Sequence, residues 1–181
     1  MTEQLEVLKD IVSRLDRACI PYMVSGSVAM NYYALPRMTR DIDLVVELRQ
    51  GDVGKLERVL GEDYYFSPEA AATALARRTM FNLIHQGFMV KVDCIVRKDT
   101  EYRRLEFSRR RQVAVLGVSF HIVAPEDLIL SKLDWARDSR SELQLGDVRN
   151  LVEAVADLDR EYLATWAAKL SLSDLLEEVM S

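Results

Sequence analysis

Residues 22–46 read YMVSGSVAMNYYALPRMTRDIDLVV, an apolar run, a small-residue turn, a helix-forming segment and a second apolar run. The first run, residues 22–25, predicts a short buried strand. Gly26 and Ser27 then open a helix, which Pro36 ends because proline cannot continue a helical backbone. The order predicts two strands joined through a short helix.

The second apolar run predicts a strand over residues 41–47 that carries two acids. Alternate side chains of a strand share a face, so Asp41 and Asp43 point to one side while Ile42 and Leu44 point into the core. Two ionised carboxylates on one face repel each other. A divalent cation removes that conflict, and Mg²⁺ suits hard oxygen ligands and substrate phosphates. An exposed strand end with two solvated acids is the simpler alternative.

Two further features lie on either side of these acids in the sequence. Backbone amides at a glycine turn that leads into a helix can hold a phosphate, and the Ser27 hydroxyl adds a donor. The same Gly26-Ser27 pair is also a common turn. Asp93 interrupts an otherwise apolar strand, where a carboxylate is costly unless it is paired, hydrogen-bonded or metal-bound. A salt bridge to an arginine and metal ligation both satisfy Asp93.

The remaining pattern predicts a mixed α/β (α+β) fold, with a mixed β-sheet core flanked by helices. Residues 1–124 form the α/β core, and residues 125–181 form a helical C-terminal region packed on it. Trp135 and Trp166 are interpreted as core residues. Helices are predicted over residues 3–19, 51–60, 68–78, 128–135, 143–158 and 162–170, with another around Leu175 and Leu176, and strands over 80–85, 88–96 and the hairpin 112–123.

The composition excludes several classes of protein. Of 181 residues, 49% are hydrophobic and 29% are charged, which is typical of a soluble globular domain. The apolar runs are too short to span a membrane, and the acidic N-terminus has no secretory signal. Cys19 and Cys94 lie among apolar neighbours, as reduced, buried thiols do. We therefore expect a cytoplasmic protein with no membrane contact.

The net charge of −5 hides a basic segment. Residues 97–111 hold seven cations against three acids. A local basic stripe on an acidic protein suits a polyanionic partner such as RNA or a tRNA end, although a solvated charged face explains it equally well. The arginines that would contact RNA are Arg103, Arg104, Arg109, Arg110 and Arg111.

Together the motifs resemble the nucleotidyltransferase superfamily that includes DNA polymerase beta. Its signature is a strand, Gly-Gly or Gly-Ser, a short helix, an Asp-x-Asp strand and a later acid. Residues 24–27 and 41–44 match that order, and Asp93 fits the later acid. The resemblance implies Mg²⁺-dependent or Mn²⁺-dependent transfer of a nucleoside monophosphate from an NTP to a hydroxyl. Its metal-binding and catalytic carboxylates would be Asp41, Asp43 and Asp93.

A closer resemblance is to the AbiEii-like branch, known chiefly from toxin–antitoxin systems. That branch has a tyrosine-bearing helix, an Arg-x-[Ser/Thr]-x-Asp segment, a later helical lysine and then a further acid. Residues 32–41 match the first two, Lys132 the third and Asp147 the last, although Gly146 stands where the branch commonly has arginine. An antitoxin or a second copy of the chain becomes a candidate partner. The implied nucleotide-binding residues are Gly26, Ser27, Arg37, Thr39, Arg40, Lys132 and Asp147, with Lys132 also catalytic.

Three functional classes follow from these motifs. The first is an active nucleotidyltransferase whose acceptor is RNA, a protein hydroxyl or a small molecule. The second is a toxin–antitoxin or regulatory component that works mainly by binding a nucleotide or partner. The third, a nucleotide-sugar glycosyltransferase, is disfavoured because the Gly-Ser turn precedes the acids at short range. A zinc site is not expected, since no Cys or His lies at metal-ligand spacing.

Overall fold

The computed structural model describes residues 2–39 and 41–180 of the chain. They alternate helices and strands as far as residue 122 and are helical from residue 125 onward. The elements are α1 (Glu3–Arg17), β1 (Tyr22–Ser25), α2 (Gly26–Tyr33), β2 (Ile42–Val46), α3 (Val53–Leu60), β3 (Tyr64–Tyr65), α4 (Pro68–Arg77), β4 (Met80–His85), β5 (Val90–Val96), α5 (Glu101–Ser108), β6 (Arg111–Val115), β7 (Val118–Ile122), α6 (Pro125–Ser139), α7 (Glu142–Ala154), α8 (Arg160–Lys169) and α9 (Ser173–Met180).

In the described residues, seven strands form one sheet with the order β3-β4-β5-β2-β1-β7-β6. Strand β1 is antiparallel to β2 and parallel to β7, and β2 is parallel to β5. The pairs β4–β5 and β6–β7 are antiparallel. The mixed sheet flanked by helices confirms the predicted fold class. Strands β1, β2 and β5 lie in the middle of the sheet, so each is paired with a strand on both sides. This pairing fixes the positions of the side chains near their ends.

Strand β2 has the predicted alternation. Ile42 and Leu44 are 0% exposed, while Asp43 and Val45 are partly exposed on the opposite face. Helix α1 contributes Val7 and Ile11 to the core, both fully buried. The sheet therefore has one face closed by helices and one face that stays partly open around Asp43.

Side-chain caps fix the starts of some of the helices, α1 and α4 among them. The Thr2 hydroxyl accepts from the Leu5 amide at 3.4 Å, and Ser67 caps α4 in front of Pro68. Helix α5, capped by Thr100, lies inside the basic segment and was not predicted. Its charged residues hid the helical period of the few apolar ones.

Four residues test the predicted core. Trp166 is 8% exposed and Cys94 is 2% exposed, as predicted, and burial raises the pKa of the Cys94 thiol. Trp135 is not a core residue, because it is 63% exposed. Cys19 is also exposed, since α1 ends at Arg17 and the chain turns there with a φ of +53°.

The helices from Pro125 onward pack on one another and on α2. Helix α6 contacts α2, α7 and α8, so it connects the helical region to the Gly26 turn. The division into domains at residue 124 stays a prediction. No helix in the described ranges is long and apolar enough to cross a membrane.

Candidate functional site

The site begins with two carboxylates on neighbouring central strands. The parallel register of β2 and β5 pairs Asp43 with Asp93, and the antiparallel register of β1 and β2 pairs Ser25 with Asp43. Adjacent strands lie about 4.8 Å apart, so the three side chains stand side by side on the open face of the sheet. Asp93 is only 8% exposed. Asp43 and Asp93 are both predicted metal ligands, and the parallel register of β2 and β5 brings them together.

Gly26 makes room for the Asp43 carboxylate. Its φ is +59°, and a Cβ placed on it would lie 1.9 Å from Asp43 Oδ2. A glycine is therefore required twice, for the left-handed backbone and for the close approach. The turn ends directly in α2, so the Asp43 carboxylate lies against the start of that helix.

The electrostatics of this pair favour an added cation. Burial, followed by the neighbouring charge of Asp93, raises the pKa of Asp43, and Asp41 adds to the effect. The Ser27 amide and the Lys132 charge offset this only in part. Two close acids in a partly dry site resist ionising together unless a cation joins them.

A lysine that the sequence motifs do not include, Lys91, also lies at the carboxylates. The Lys91 ammonium lies 2.9 Å from Asp93 Oδ2 and 3.2 Å from Asp41 Oδ2. The hydrogen bond from Lys91 to Asp93 raises the pKa of Lys91 despite its partial burial. Lys91 precedes Asp93 by two residues on β5, so the strand period placed it on the same face. That spacing was the signal in the sequence.

The donor set fits a hard divalent cation in part. Asp93 Oδ1 is buried and has no hydrogen-bond partner among the described residues, so an acceptor oxygen is left unsatisfied beside Asp43. Carboxylate oxygens are the ligands that Mg²⁺ prefers. However, no three acids, cysteines or histidines in the described chain converge closely enough to hold one ion. The Lys91 ammonium engages one oxygen of Asp93 and one of Asp41, so the oxygens still open to an ion are Asp93 Oδ1 and those of Asp43.

A cavity of about 110 Å³ opens beside the carboxylates. The Gly26 turn forms one wall and α6 forms the other. Lys132 points into it from α6 and is 4% exposed, so it is a buried lysine and not a surface residue. The lining residues are Ser25, Gly26, Ser27, Asp43, Ile95, Leu128, Ser131, Lys132, Trp135 and Gln144.

Asp147 fixes Lys132 from behind the cavity. Lys132 Nζ donates to Asp147 Oδ2 at 2.7 Å and to Gln144 Oε1 at 3.2 Å. Arg37 donates to both oxygens of Asp147 at 3.0 Å and to Ser27 Oγ at 2.7 Å. Burial works against the charge on Asp147, but the hydrogen bonds from Arg37 and Lys132 lower its pKa. The network joins α6 and α7 to the Gly26 turn.

The remaining residues predicted to bind nucleotide do not line the cavity that holds Lys132. Asp147 does not line the cavity that holds Lys132, and its side chain is occupied by two cations. Arg37 and Thr39 line a separate cavity with residues 2–4 and the β4–β5 turn. Thr39 donates to the Asp41 carbonyl at 3.3 Å. Arg40 lies outside the described residues.

A larger cavity of about 410 Å³ continues along the same face of the sheet. Val45 and Ile95 form its floor, and the exposed indole of Trp135 borders both cavities. Its walls mix charges of both signs. They include Arg97, Lys98, Arg103, Glu106, Asp134, Arg137 and Asp138.

The basic segment is largely engaged within the fold. Arg103 donates to Glu106 and to Asp134 at 3.0 Å, and Arg109 pairs with the fully buried Asp127 at 2.9 Å. Its other members are also in contact. Arg104 pairs with Asp99, Arg110 donates to the Phe107 carbonyl, and Arg111 lies 3.7 Å from Glu126.

Comparison with known proteins shows the fold. No family model and no curated protein sequence matches the chain. The solution structure of the antibiotic-resistance factor ANT(2'')-Ia is similar, with a TM-score of 0.60 and 17% identity over 97% of this chain and 95% of that one. A crystal structure of ANT(2'')-Ia in complex with adenylyl-2''-tobramycin has a TM-score of 0.59 and 15% identity over 94% and 98%.

A third similar structure is TM1012 from Thermotoga maritima, described as a candidate nucleotidyltransferase. Its TM-score is 0.54, with 19% identity over 78% of this chain and 89% of that one. The chain therefore has the nucleotidyltransferase fold. Nothing in these likenesses bears on the AbiEii-like branch, which stays a prediction.

Proposed function

We propose that the chain is a nucleotidyltransferase that uses Mg²⁺ or Mn²⁺ to transfer a nucleoside monophosphate from an NTP to a hydroxyl group. One observation carries the proposal, which is the pair Asp43 and Asp93 in register beside the Gly26-Ser27 turn in this fold. A glycosyltransferase has no need of such a turn next to its acids. The proposal assigns the 110 Å³ cavity to the phosphates.

The chain's own residues supply binding and orientation. The amides and hydroxyl at Gly26-Ser27 hold phosphate oxygens at the start of α2. Lys132, fixed by Asp147, neutralises phosphate charge as a point cation. Asp43 and Asp93 would hold a divalent ion, with Asp41 as a third ligand. When bound, such ions polarise the phosphoryl group and activate the acceptor hydroxyl.

We assign the acceptor to the larger cavity and favour a small hydroxyl-bearing molecule. The cavity continues from the phosphate cavity past Ser131 and Trp135, and its volume of about 410 Å³ suits a small ligand. ANT(2'')-Ia supplies a parallel, since it was solved with adenylyl-2''-tobramycin. RNA or a tRNA end is the alternative acceptor, and it would bring with it the toxin–antitoxin role of the AbiEii-like branch.

A second candidate function is nucleotide or partner binding with little turnover. The contact of Lys91 with both Asp41 and Asp93 favours it, because an ammonium already neutralises part of the carboxylate cluster. In that case the protein binds NTPs without transferring label to any acceptor.

Incubation with each α-³²P-labelled NTP tests the proposal. The acceptors are total RNA, tRNA and a panel of polyhydroxyl and amino-sugar compounds, each with Mg²⁺, Mn²⁺ or EDTA. We expect metal-dependent label transfer and pyrophosphate release with one small acceptor, and none with Asp43→Asn. Label transfer that survives EDTA, or that survives Asp43→Asn, would remove the proposed site. NTP binding without transfer would support the second candidate.

A further inference from the structure

We infer that Lys91 is a displaceable internal cation, which occupies the carboxylate cluster in the ligand-free protein and must leave it before a divalent ion binds there. The inference rests on the proposed function, since it concerns the same cluster. It concerns a residue outside the motifs that the sequence displayed.

The position of Lys91 follows from two strands. On β5, Lys91 and Asp93 are separated by one residue and share a face. The parallel register pairs Ile42 with Val92, which brings Asp41 next to Lys91. The Asp41 backbone is held there, since its carbonyl accepts from Gln4 and Thr39. The ammonium therefore joins two acids on different strands.

The ammonium stands where a metal ion would be needed. It uses Asp93 Oδ2 and Asp41 Oδ2, which removes two oxygens from the set offered to an ion. Asp93 Oδ1 is left buried and unpartnered, and Asp43 forms no ion pair in the described chain. Lys91 thus pairs with two of the three acids, while Lys132 acts on Asp43 only through its charge. The cluster keeps a net attraction for a further cation but presents an incomplete site.

The lysine side chain can leave. It is 37% exposed and sits on a four-carbon stem, so the ammonium can rotate into water without a change in the backbone. Displacement would leave the buried Asp93 carboxylate without a counter-charge, so the exchange requires an incoming cation to take the place of the ammonium. We expect the unliganded protein to bind metal weakly and to bind it better together with a triphosphate, whose charge compensates for the released ammonium.

Mn²⁺ binding to the full-length protein without nucleotide provides the test, with free Mn²⁺ measured by electron paramagnetic resonance at constant pH. Lys91→Met removes the charge and keeps the length of the side chain, and we expect it to bind Mn²⁺ about tenfold more tightly than the wild type. Lys55→Met is the matched control. Lys55 is 39% exposed and pairs with Asp52 at 3.1 Å on a remote helix, so its loss should leave Mn²⁺ affinity unchanged.

Thermal unfolding gives a second readout. In EDTA, Lys91→Met should melt below the wild type because Asp41 and Asp93 lose the cation that pairs with them. Bound Mn²⁺ should replace that cation and remove the difference in melting temperature. Lys91→Gln, which is uncharged but can still donate hydrogen bonds, should bind Mn²⁺ more tightly as well and serves if Lys91→Met does not fold.

Equal or weaker Mn²⁺ affinity in both uncharged variants would overturn the inference. If the wild type still binds Mn²⁺ with an NTP and loses it in Asp43→Asn, the proposed function stands without the role of Lys91. If no variant binds Mn²⁺ with or without an NTP, both proposals fail.

Discussion

The contact between Gly26 and Asp43 shows how one backbone position controls a functional side chain. The carboxylate packs against a residue with no Cβ, at a turn with a φ of +59°. The Ser27 backbone of the same turn works against the rise in the pKa of Asp43. The turn therefore limits where the Asp43 carboxylate can lie and leaves its other oxygen, Oδ1, for a cation or a phosphate-bound ion.

Asp43→Asn should abolish transfer without weakening the fold. Because burial and Asp93 raise the pKa of Asp43, its ionised form destabilises the metal-free protein above that pKa. Removing the charge should leave the melting temperature in EDTA level or raise it at neutral pH. Asp99→Asn, at a fully exposed position, is the control and should change neither activity nor melting. A clear drop in the melting temperature of Asp43→Asn would mark Asp43 as a structural residue.

Gly26→Ala should damage both stability and the site. The added Cβ would meet Asp43 Oδ2 at 1.9 Å and would also take on an unfavourable left-handed backbone, so we expect a loss of roughly 2 kcal/mol and little activity. Gly146→Ala is the matched control, since nothing lies within 4 Å of its Cβ position and α7 should gain up to about 1 kcal/mol. Urea unfolding of both variants measures the difference. Equal effects would show that the close approach to Asp43 is unimportant.

At the scale of elements, local patterns predicted β1, α2 and β2 well. Their periods, Gly26 and Pro36 all act within a few residues of one another. The pairing of Lys91 with Asp41 was beyond the sequence, because it depends on the register of two strands 48 residues apart, where one residue of slip moves every side chain to the other face. Trp135 was misread because a helix period shows which residues share a stripe but not whether a partner covers it.

The pair of helices α6 and α7 depends on Asp147. Asp147 is 2% exposed, and its pKa in the folded protein lies below the usual value of 3.8. The ionised carboxylate therefore stabilises the fold above pH 3.8, and this stabilisation is lost as the pH falls through the pKa of the folded state. Asp147→Asn should lose roughly 3 kcal/mol at pH 7, because Lys132 and Arg37 lose their counter-charge.

The same substitution should flatten the decline of stability below about pH 4. Thermal unfolding between pH 3 and pH 7 tests this. Asp99→Asn, which also removes a carboxylate of lowered pKa but in an exposed ion pair, should have little effect at any pH. If Asp147→Asn loses stability below about pH 4 as steeply as the wild type does, Asp147 is not the carboxylate responsible for that loss.

Helix α6 also offers a spectroscopic probe. The chain has two tryptophans, and Trp135 lies about one turn from Lys132 on the border of both cavities while Trp166 is buried. We expect Mg²⁺-NTP to change the fluorescence of the wild type and of Trp166→Phe but not of Trp135→Phe. A response that follows Trp166 instead would place the nucleotide elsewhere.

At the scale of the whole molecule, the number of basic residues in a segment differs from the number whose charge is available to a binding partner. The segment 97–111 is basic in sequence, but Arg109 compensates buried acids and lies 3.8 Å above the Tyr162 ring, and Arg103 compensates Glu106. Charges of this kind do not project a field for a polyanion. Replacing Arg109 would therefore unfold the protein locally and report nothing about RNA. Arg104 and Arg111 also have acidic neighbours, but their side chains are 54% and 53% exposed, so they can still reach a phosphate backbone.

The salt dependence of RNA binding separates the two acceptors. Each phosphate contact with a single strand lowers log K by about 0.7 per log unit of salt, so a protein that tracks RNA with several arginines shows a steep slope. If the acceptor is a small molecule, we expect weak RNA binding with a shallow dependence on salt. The double variant Arg104→Ala/Arg111→Ala should then leave the salt slope and the binding of Mg²⁺-NTP unchanged. Lys9→Ala/Lys55→Ala, which removes the same charge from helices outside the segment, is the control. Tight RNA binding whose slope falls by about 1 or more in the arginine variant and not in the control would show that these arginines contact RNA phosphates, and would favour RNA over a small acceptor, because only direct phosphate contacts release counterions in that number.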